Sequence, residues 1–215
     1  MLVTLEEKVN PSHAALMIID MQNDFCHSEG AIAKRGRDPS PCQSIVSRLS
    51  NIISQARDIG LPIIFTRMVN NNWTQSEVGL EWTMRVFGDK DFMPVKDGTW
   101  GAELYQLQPQ PQDYVITKHR YSAFLNTDLD VILRSKGIKT LIMTGVTTNV
   151  CVESTAREGF MRDYYIVFLK DCTATWDPQD QEATLRNINA LFGVVSSSEE
   201  IMAAWDKIKP DAIKT

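Results

Sequence analysis

Histidine and cysteine are scarce in this chain, and basic excess is missing altogether. The 215 residues include three histidines, His13, His27 and His119, and no set of His, Cys, Asp and Glu stands at metal-ligand spacing. Four cysteines, Cys26, Cys42, Cys151 and Cys172, form no C-x-x-C pair. Scattered cysteines in a chain of this length point to reduced thiols in a cytoplasmic protein rather than to a disulfide framework. Lys plus Arg number 22 against 27 Asp plus Glu, a net charge of −5, which excludes the basic footprint of a nucleic-acid or anionic-membrane partner. No apolar run approaches the ~20 residues of a membrane-spanning helix. The opening "MLVTLEEKVNPSHAALMIID" lacks a basic segment followed by an apolar core, so no secretory signal is expected. Neither G-x-G-x-x-G nor G-x-x-x-x-G-K-[ST] occurs, which argues against a common nucleotide-binding loop. The serine-hydrolase elbow G-x-S-x-G is missing too.

What the chain does have is apolar patterning for a sizeable core, with 43% hydrophobic residues. "ALMIID", Ala15 to Asp20, reads as a buried strand ending in a carboxylate. A helix follows, with Ile45, Leu49, Ile52, Ile53 and Ala56 at helical spacing and Gly60 as its stop. "LPIIFTR", "DYVITK", "KTLIMTG", "YYIVFLKD" and "VVSS" read as five further strands. Helices are expected over "NTDLDVILRSKG", from near Asn149, over "DQEATLRNINALFG" and over "SSEEIMAAWDKI". Asn126 or Thr127 can cap the first of these, Gly137 ends it, and Ser-x-x-Glu opens the last. The stretch from Met68 to Pro111 reads as one long connection carrying Trp73, Trp82, Phe87 and Phe92, the kind of segment used in function or assembly. Strands alternating with helices predict an α/β fold: one domain over residues 1–215, in three layers, with a mostly parallel six-stranded sheet and helices on both faces.

In open parallel sheets ligands bind beyond the carboxyl ends of the strands. Three polar residues fall there: Asp20, Lys118, and Cys151 in "TGVTTNVCVESTAREGF". Each has a plainer reading. An aspartate after a strand also caps a turn, a lysine there is also a solvated end, and a cysteine also packs as a small hydrophobe. Together they supply a base, a cation and a thiol, the parts of an acyl-transfer hydrolase. A helix start and a lysine both favour the thiolate, so Cys151 is expected to react with a thiol reagent faster than Cys42 or Cys172. Gly145 permits a sharp exit from the strand, and Thr147, Thr148 and Asn149 can cap the helix that follows.

"ALMIIDMQNDF", "LPIIFTR", "VITKHRYSAFLNTDLDVILRSKGIKTLIMTGVTTNVCVESTAREGF" and "VFLKDCTAT" together resemble the isochorismatase-like cysteine hydrolase superfamily. The resemblance puts the family's catalytic aspartate, lysine and cysteine on Asp20, Lys118 and Cys151. It implies a non-proline cis peptide between Val146 and Thr147, and an oxyanion hole from the N–H groups of Thr147 and Cys151. Isochorismatase itself works without thiol chemistry, so Cys151 points to the amidase side. Nicotinamidases resemble the chain but carry a histidine metal site after the second strand, and no histidine lies between Arg67 and Lys118. The resemblance is strongest to the ureidoacrylate amidohydrolase and biuret hydrolase branch, with N-carbamoylsarcosine amidohydrolase as a neighbour. It implies a small amide or ureide substrate, release of ammonia, no cofactor, no metal, and a homo-oligomer, dimer or tetramer. Substrate contacts are expected from Asn23, Phe25, Arg120, Tyr121 and Gln179, with Gln181, His27, His119, Trp73, Trp82 and Trp100 as further candidates.

Overall fold

The computed structural model describes residues 1–208; the end of the domain expected over 1–215 lies outside the described residues. Six strands form the sheet: β1 (Ala14–Ile19), β2 (Ile63–Met68), β3 (Tyr114–Lys118), β4 (Thr140–Val146), β5 (Tyr165–Ala174) and β6 (Val194–Ser196). Their order is β3-β2-β1-β4-β5-β6 and every pairing is parallel. β1 and β4 are buried along their whole length, which is why both read as continuous apolar runs rather than alternating ones.

The helices are α1 (Leu5–Lys8), α2 (Asn23–Cys26), α3 (Ser40–Ser44), α4 (Val46–Asp58), α5 (Glu77–Phe87), α6 (Leu129–Ser135), α7 (Glu153–Met161), α8 (Pro178–Asn187) and α9 (Ser198–Lys207). Alternate strand residues face opposite layers. Leu16, Ile18, Ile63 and Phe65 pack with Leu49, Ile52 and Ile53 of α4 and Ile201 and Trp205 of α9. Met17, Ile19, Ile64 and Met143 pack on the other side with Leu129 and Leu133 of α6 and Val152 and Ala156 near α7. These are the three layers expected.

Several local expectations are refined. The helix expected around Ser40 to Gly60 is two, α3 and α4, and Gly60 stops the second with φ +69°. In front of α6, Thr127 Oγ1 accepts the Leu129 N–H at 3.2 Å, and Asn126 turns the chain with φ +56°. Ser197 and Glu200 form the reciprocal cap at the start of α9. The long connection from Met68 to Pro111 is not all loop. It holds α5, capped by Ser76, whose side chain accepts the Gly79 N–H, and ended by Gly88 in the left-handed region. Of α5 only Thr83 is buried.

The strand order reverses direction between β1 and β4. A crevice opens at their carboxyl ends, where Asp20 leaves β1 and the Thr147–Cys151 turn leaves β4.

Candidate active site

Asp20 follows β1 with φ +45°, a conformation that turns its side chain back under the strand ends. Its N–H donates to Thr66 Oγ1 at 3.2 Å, and the Thr66 hydroxyl donates to Asp20 Oδ1 at 2.6 Å. Lys118, at the end of β3, reaches across the end of β2 to bring Nζ within 2.6 Å of Asp20 Oδ2. On the way it passes Met68 Sδ at 3.8 Å and donates to the Arg120 carbonyl at 3.0 Å. Both side chains are fully buried. Removing two charges from water costs several kcal/mol per ion, and a buried pair of this kind is no economical stabilising device. Oδ2 has the ammonium as a close contact but no aligned hydrogen-bond donor, so a lone pair remains for a proton from elsewhere.

The Cys151 side is built by backbone. Gly145, φ +102°, brings β4 so close to β1 that a Cβ would stand 2.1 Å from the Ile19 carbonyl oxygen. The Val146–Thr147 peptide is cis. The chain then enters a wide π-turn, Thr148–Val152, ahead of α7. The N–H groups of Val150 and Val152 both donate to the Thr147 carbonyl, at 3.1 and 3.2 Å, and the Cys151 N–H between them does not. Among the described residues no side chain, and no carbonyl beyond the turn, accepts the N–H of Thr147 or Cys151. Thr155 fixes the Cys151 turn by donating to the Cys151 carbonyl at 2.7 Å while accepting the Ala123 N–H at 3.0 Å. Asn149 is a brace: it accepts from Thr175 Oγ1 and donates to Asp180 Oδ2.

Burial pushes the Cys151 thiol up to about 12; the Lys118 ammonium pulls against this and the Asp20 carboxylate adds to it. The resting group is therefore a protonated thiol, not the ready thiolate expected from the helix start and the lysine. Desolvation outweighs both because only 6% of the residue is exposed. For Lys118 burial acts downward, but Asp20 and Cys151 more than offset it, and the ammonium is held above its ordinary value. Burial and the neighbouring Cys151 raise the Tyr121 phenol, with Lys118 opposing.

Cys151 opens into a cavity of about 1090 Å³ whose walls are mostly apolar and aromatic. Thr147, Phe25, Arg120, Tyr121, His119 and Trp82 line it. Asn23 and Gln179 do not. Asn23 donates to the Trp100 carbonyl at 2.8 Å, and the Gln179 N–H is taken by the Asp177 cap. Gln181 also lies away from the cavity, its amide within 3.3 Å of the Thr173 carbonyl. His27 stacks edge-on to Trp100 and Tyr105 on another face. Trp73 and Trp100 are exposed and do not line the cavity. His119 donates from Nδ1 to the Val69 carbonyl at 2.7 Å, since a carbonyl can only accept. Two contributors went unrecognised in the sequence. Thr66 was visible as the one small polar residue closing an apolar run; Gln22, which clamps Met68 and Ala102 through its buried amide, carried no such signal.

A family model described as the isochorismatase domain matches residues 14–200. The chain is 35% identical to the ureidoacrylate amidohydrolase of Pseudomonas syringae pv. syringae, over 94% of its own length and 87% of that protein. It is 36% identical to the enzyme of that name from an Enterobacter species, covering 94% and 92%. Among solved structures, a cysteine hydrolase from Pseudomonas syringae pv. phaseolicola superposes with a TM-score of 0.82 at 27% identity, covering 97% of this chain and 99% of that one. N-carbamoylsarcosine amidase from Thermoplasma acidophilum superposes with a TM-score of 0.70 at 27% identity, covering 87% and 97%.

Proposed function

This chain belongs to the isochorismatase family, and on that premise we propose that it is a cysteine-dependent amidohydrolase that cleaves the C–N bond of a small ureido or carbamoyl compound and releases ammonia. The observation that carries the reading is Asp20. Its Oδ1 accepts from Thr66, its Oδ2 lies against the Lys118 ammonium without an aligned donor, and burial keeps the thiol it acts on protonated at rest. A base is needed at the moment of attack, and Asp20 is the carboxylate in place to serve.

The thiol proton passes to Asp20 Oδ2 as Sγ bonds to the ureido carbonyl carbon. The oxyanion that forms is received by the N–H groups of Thr147 and Cys151. Lys118 holds the negative charge shared between Asp20 and the sulfur. As the C–N bond breaks, Asp20 returns the proton to the departing nitrogen and ammonia leaves, with the acyl group remaining on sulfur. Water then gives its proton to Asp20 and adds to the thioester or thiocarbamate carbon; the C–S bond breaks and the departing sulfur takes that proton from Asp20, which restores the thiol and the carboxylate. Phe25 and Tyr121 supply a flat face and a hydroxyl for a planar ureide. The likeness to ureidoacrylate amidohydrolases favours a ureidoacrylate-like substrate; the structural likeness to N-carbamoylsarcosine amidase supports a carbamoyl amino acid as the second reading.

Exposed apolar side chains of α5, Val78 at 77% and Met84 at 56%, support assembly into a homo-oligomer. All four cysteines are free thiols, which supports a reducing, cytoplasmic setting. The test is an ammonia-release screen over biuret, triuret, ureidoacrylate, carbamoylated amino acids and nicotinamide. Turnover of at least one ureide is expected, and its loss in Cys151→Ala. Full turnover in that variant, or none of any ureide by the native chain, would refute the reading.

A further inference from the structure

We propose that Arg120 is the anchor for a carboxylate carried by the substrate at the end remote from the scissile carbonyl, so that the enzyme selects ureido acids over neutral ureides. The inference rests on the amidohydrolase reading and is carried by the balance of charge within the cavity. Of the other arginines lining it, Arg85 is paired with Glu81 at 2.8 Å and Arg157 with Glu153 at 2.5 Å. The lining carboxylate Glu158 is held by Arg162 at 2.7 Å. Arg120 has no carboxylate within ion-pair distance among the described residues. Its Nη1 donates to the Thr74 carbonyl at 3.0 Å and to the His119 carbonyl at 2.6 Å, which positions the side chain without neutralising it. A guanidinium has five N–H donors in a planar fork, and among the described residues nothing accepts from the Nε and Nη2 groups of Arg120. That fork matches a carboxylate.

Placement agrees with charge. The Arg120 carbonyl accepts the Lys118 ammonium, so the residue's backbone is in contact with the catalytic cation. Its side chain leads away to Thr74, another residue of the cavity wall. Cys151 and Arg120 line the same cavity, and the proposed ligand is one whose carbonyl carbon sits at Cys151 and whose acid group extends to the guanidinium. Arg120 is exposed at the cavity wall, so a neutral ureide such as biuret leaves the guanidinium to solvent and gains nothing from its charge.

Arg120 also ties Thr74 to the end of β3, and the experiment must separate an anchor from a strut. The kcat/KM for N-carbamoyl-β-alanine is compared with that for its carboxamide, in the native chain, Arg120→Gln, Arg120→Lys and Arg85→Gln, with the Cys151→Ala rate subtracted. Gln keeps an N–H for Thr74 and loses the charge; Lys keeps the charge. The native chain is expected to prefer the acid. Arg120→Gln should reduce that ratio roughly tenfold or more, mainly through KM, as loss of a charge-assisted hydrogen bond does. Arg120→Lys should reduce it less, and Arg85→Gln should leave it in place. A native ratio near one, a ratio unmoved in Arg120→Gln, or equal losses in the Gln and Lys variants would overturn the anchor while Cys151-dependent turnover stood. No Cys151-dependent ammonia from either compound would overturn anchor and amidohydrolase together.

Discussion

The floor and the roof of the cavity are built by opposite means. The floor, where β1, β3 and β4 end, is fully buried. Its polar atoms are fixed by Thr66, Thr144, Thr155 and Gln22, and its turns by Gly145 and the left-handed Asp20. The roof, α5 and its flanking loops, buries one helical residue of eleven and leaves Val78, Leu80, Met84 and Val86 in solvent. Chemistry that needs a thiol, a carboxylate and an ammonium within a few ångströms requires a frame that cannot yield. A wall that decides which small amide enters can be changed without disturbing that frame.

The difference is open to attack from the floor first. Gly145→Ala places a Cβ 2.1 Å from the Ile19 carbonyl oxygen at a φ that L-residues rarely adopt, so β1 or β4 must move. The expected loss is about 4 kcal/mol or more, which a denaturation midpoint will register. A second test separates burial from activation. With its pKa raised to about 12, Cys151 of the ligand-free protein stays protonated as the pH rises from 7 to 10. Its alkylation by iodoacetamide should therefore climb roughly tenfold per pH unit with no plateau in that range. A plateau below pH 9 would mark a thiolate stabilised at rest. The smallest effect belongs to the roof. Trp82 lines the cavity and meets Phe87 edge-on at 5.3 Å, but is only half-buried. Trp82→Ala should lower stability by about 1 kcal/mol and raise KM several-fold with little change in kcat.

The same division governs what the sequence reveals. The floor is legible because each strand is an apolar run that stops at a polar residue: "ALMII" at Asp20, "YVIT" at Lys118, "TLIMTGV" at the turn before Cys151. The roof is less so, because Val78, Leu80, Trp82, Met84 and Val86 fall on alternate residues, which reads as a strand as readily as the two apolar stripes, Val78/Trp82/Val86 and Leu80/Met84/Phe87, that α5 carries. That pattern suits a helix with apolar groups facing both the cavity and the outside. The protonation of Cys151 was also beyond reach of the sequence: the helix start and the lysine are local, whereas the burial that overrides them is assembled from both sides of the sheet. Asn23 and Gln179 share their segments with functional neighbours, yet the Asn23 amide is taken by the Trp100 carbonyl, and Gln179 stands in the first turn of α8, its backbone N–H capped by the Asp177 carboxylate, away from the cavity wall.

The central claim is that sulfur, activated by Asp20, bonds to the substrate carbonyl. The direct measurement is the mass of the Cys151 peptide from enzyme quenched in acid during turnover of a ureide, with Cys151→Ala in parallel. The account predicts an acyl adduct on Cys151 that disappears once the substrate is exhausted. An unmodified Cys151 throughout turnover, with ammonia still released by the alanine variant, would contradict it.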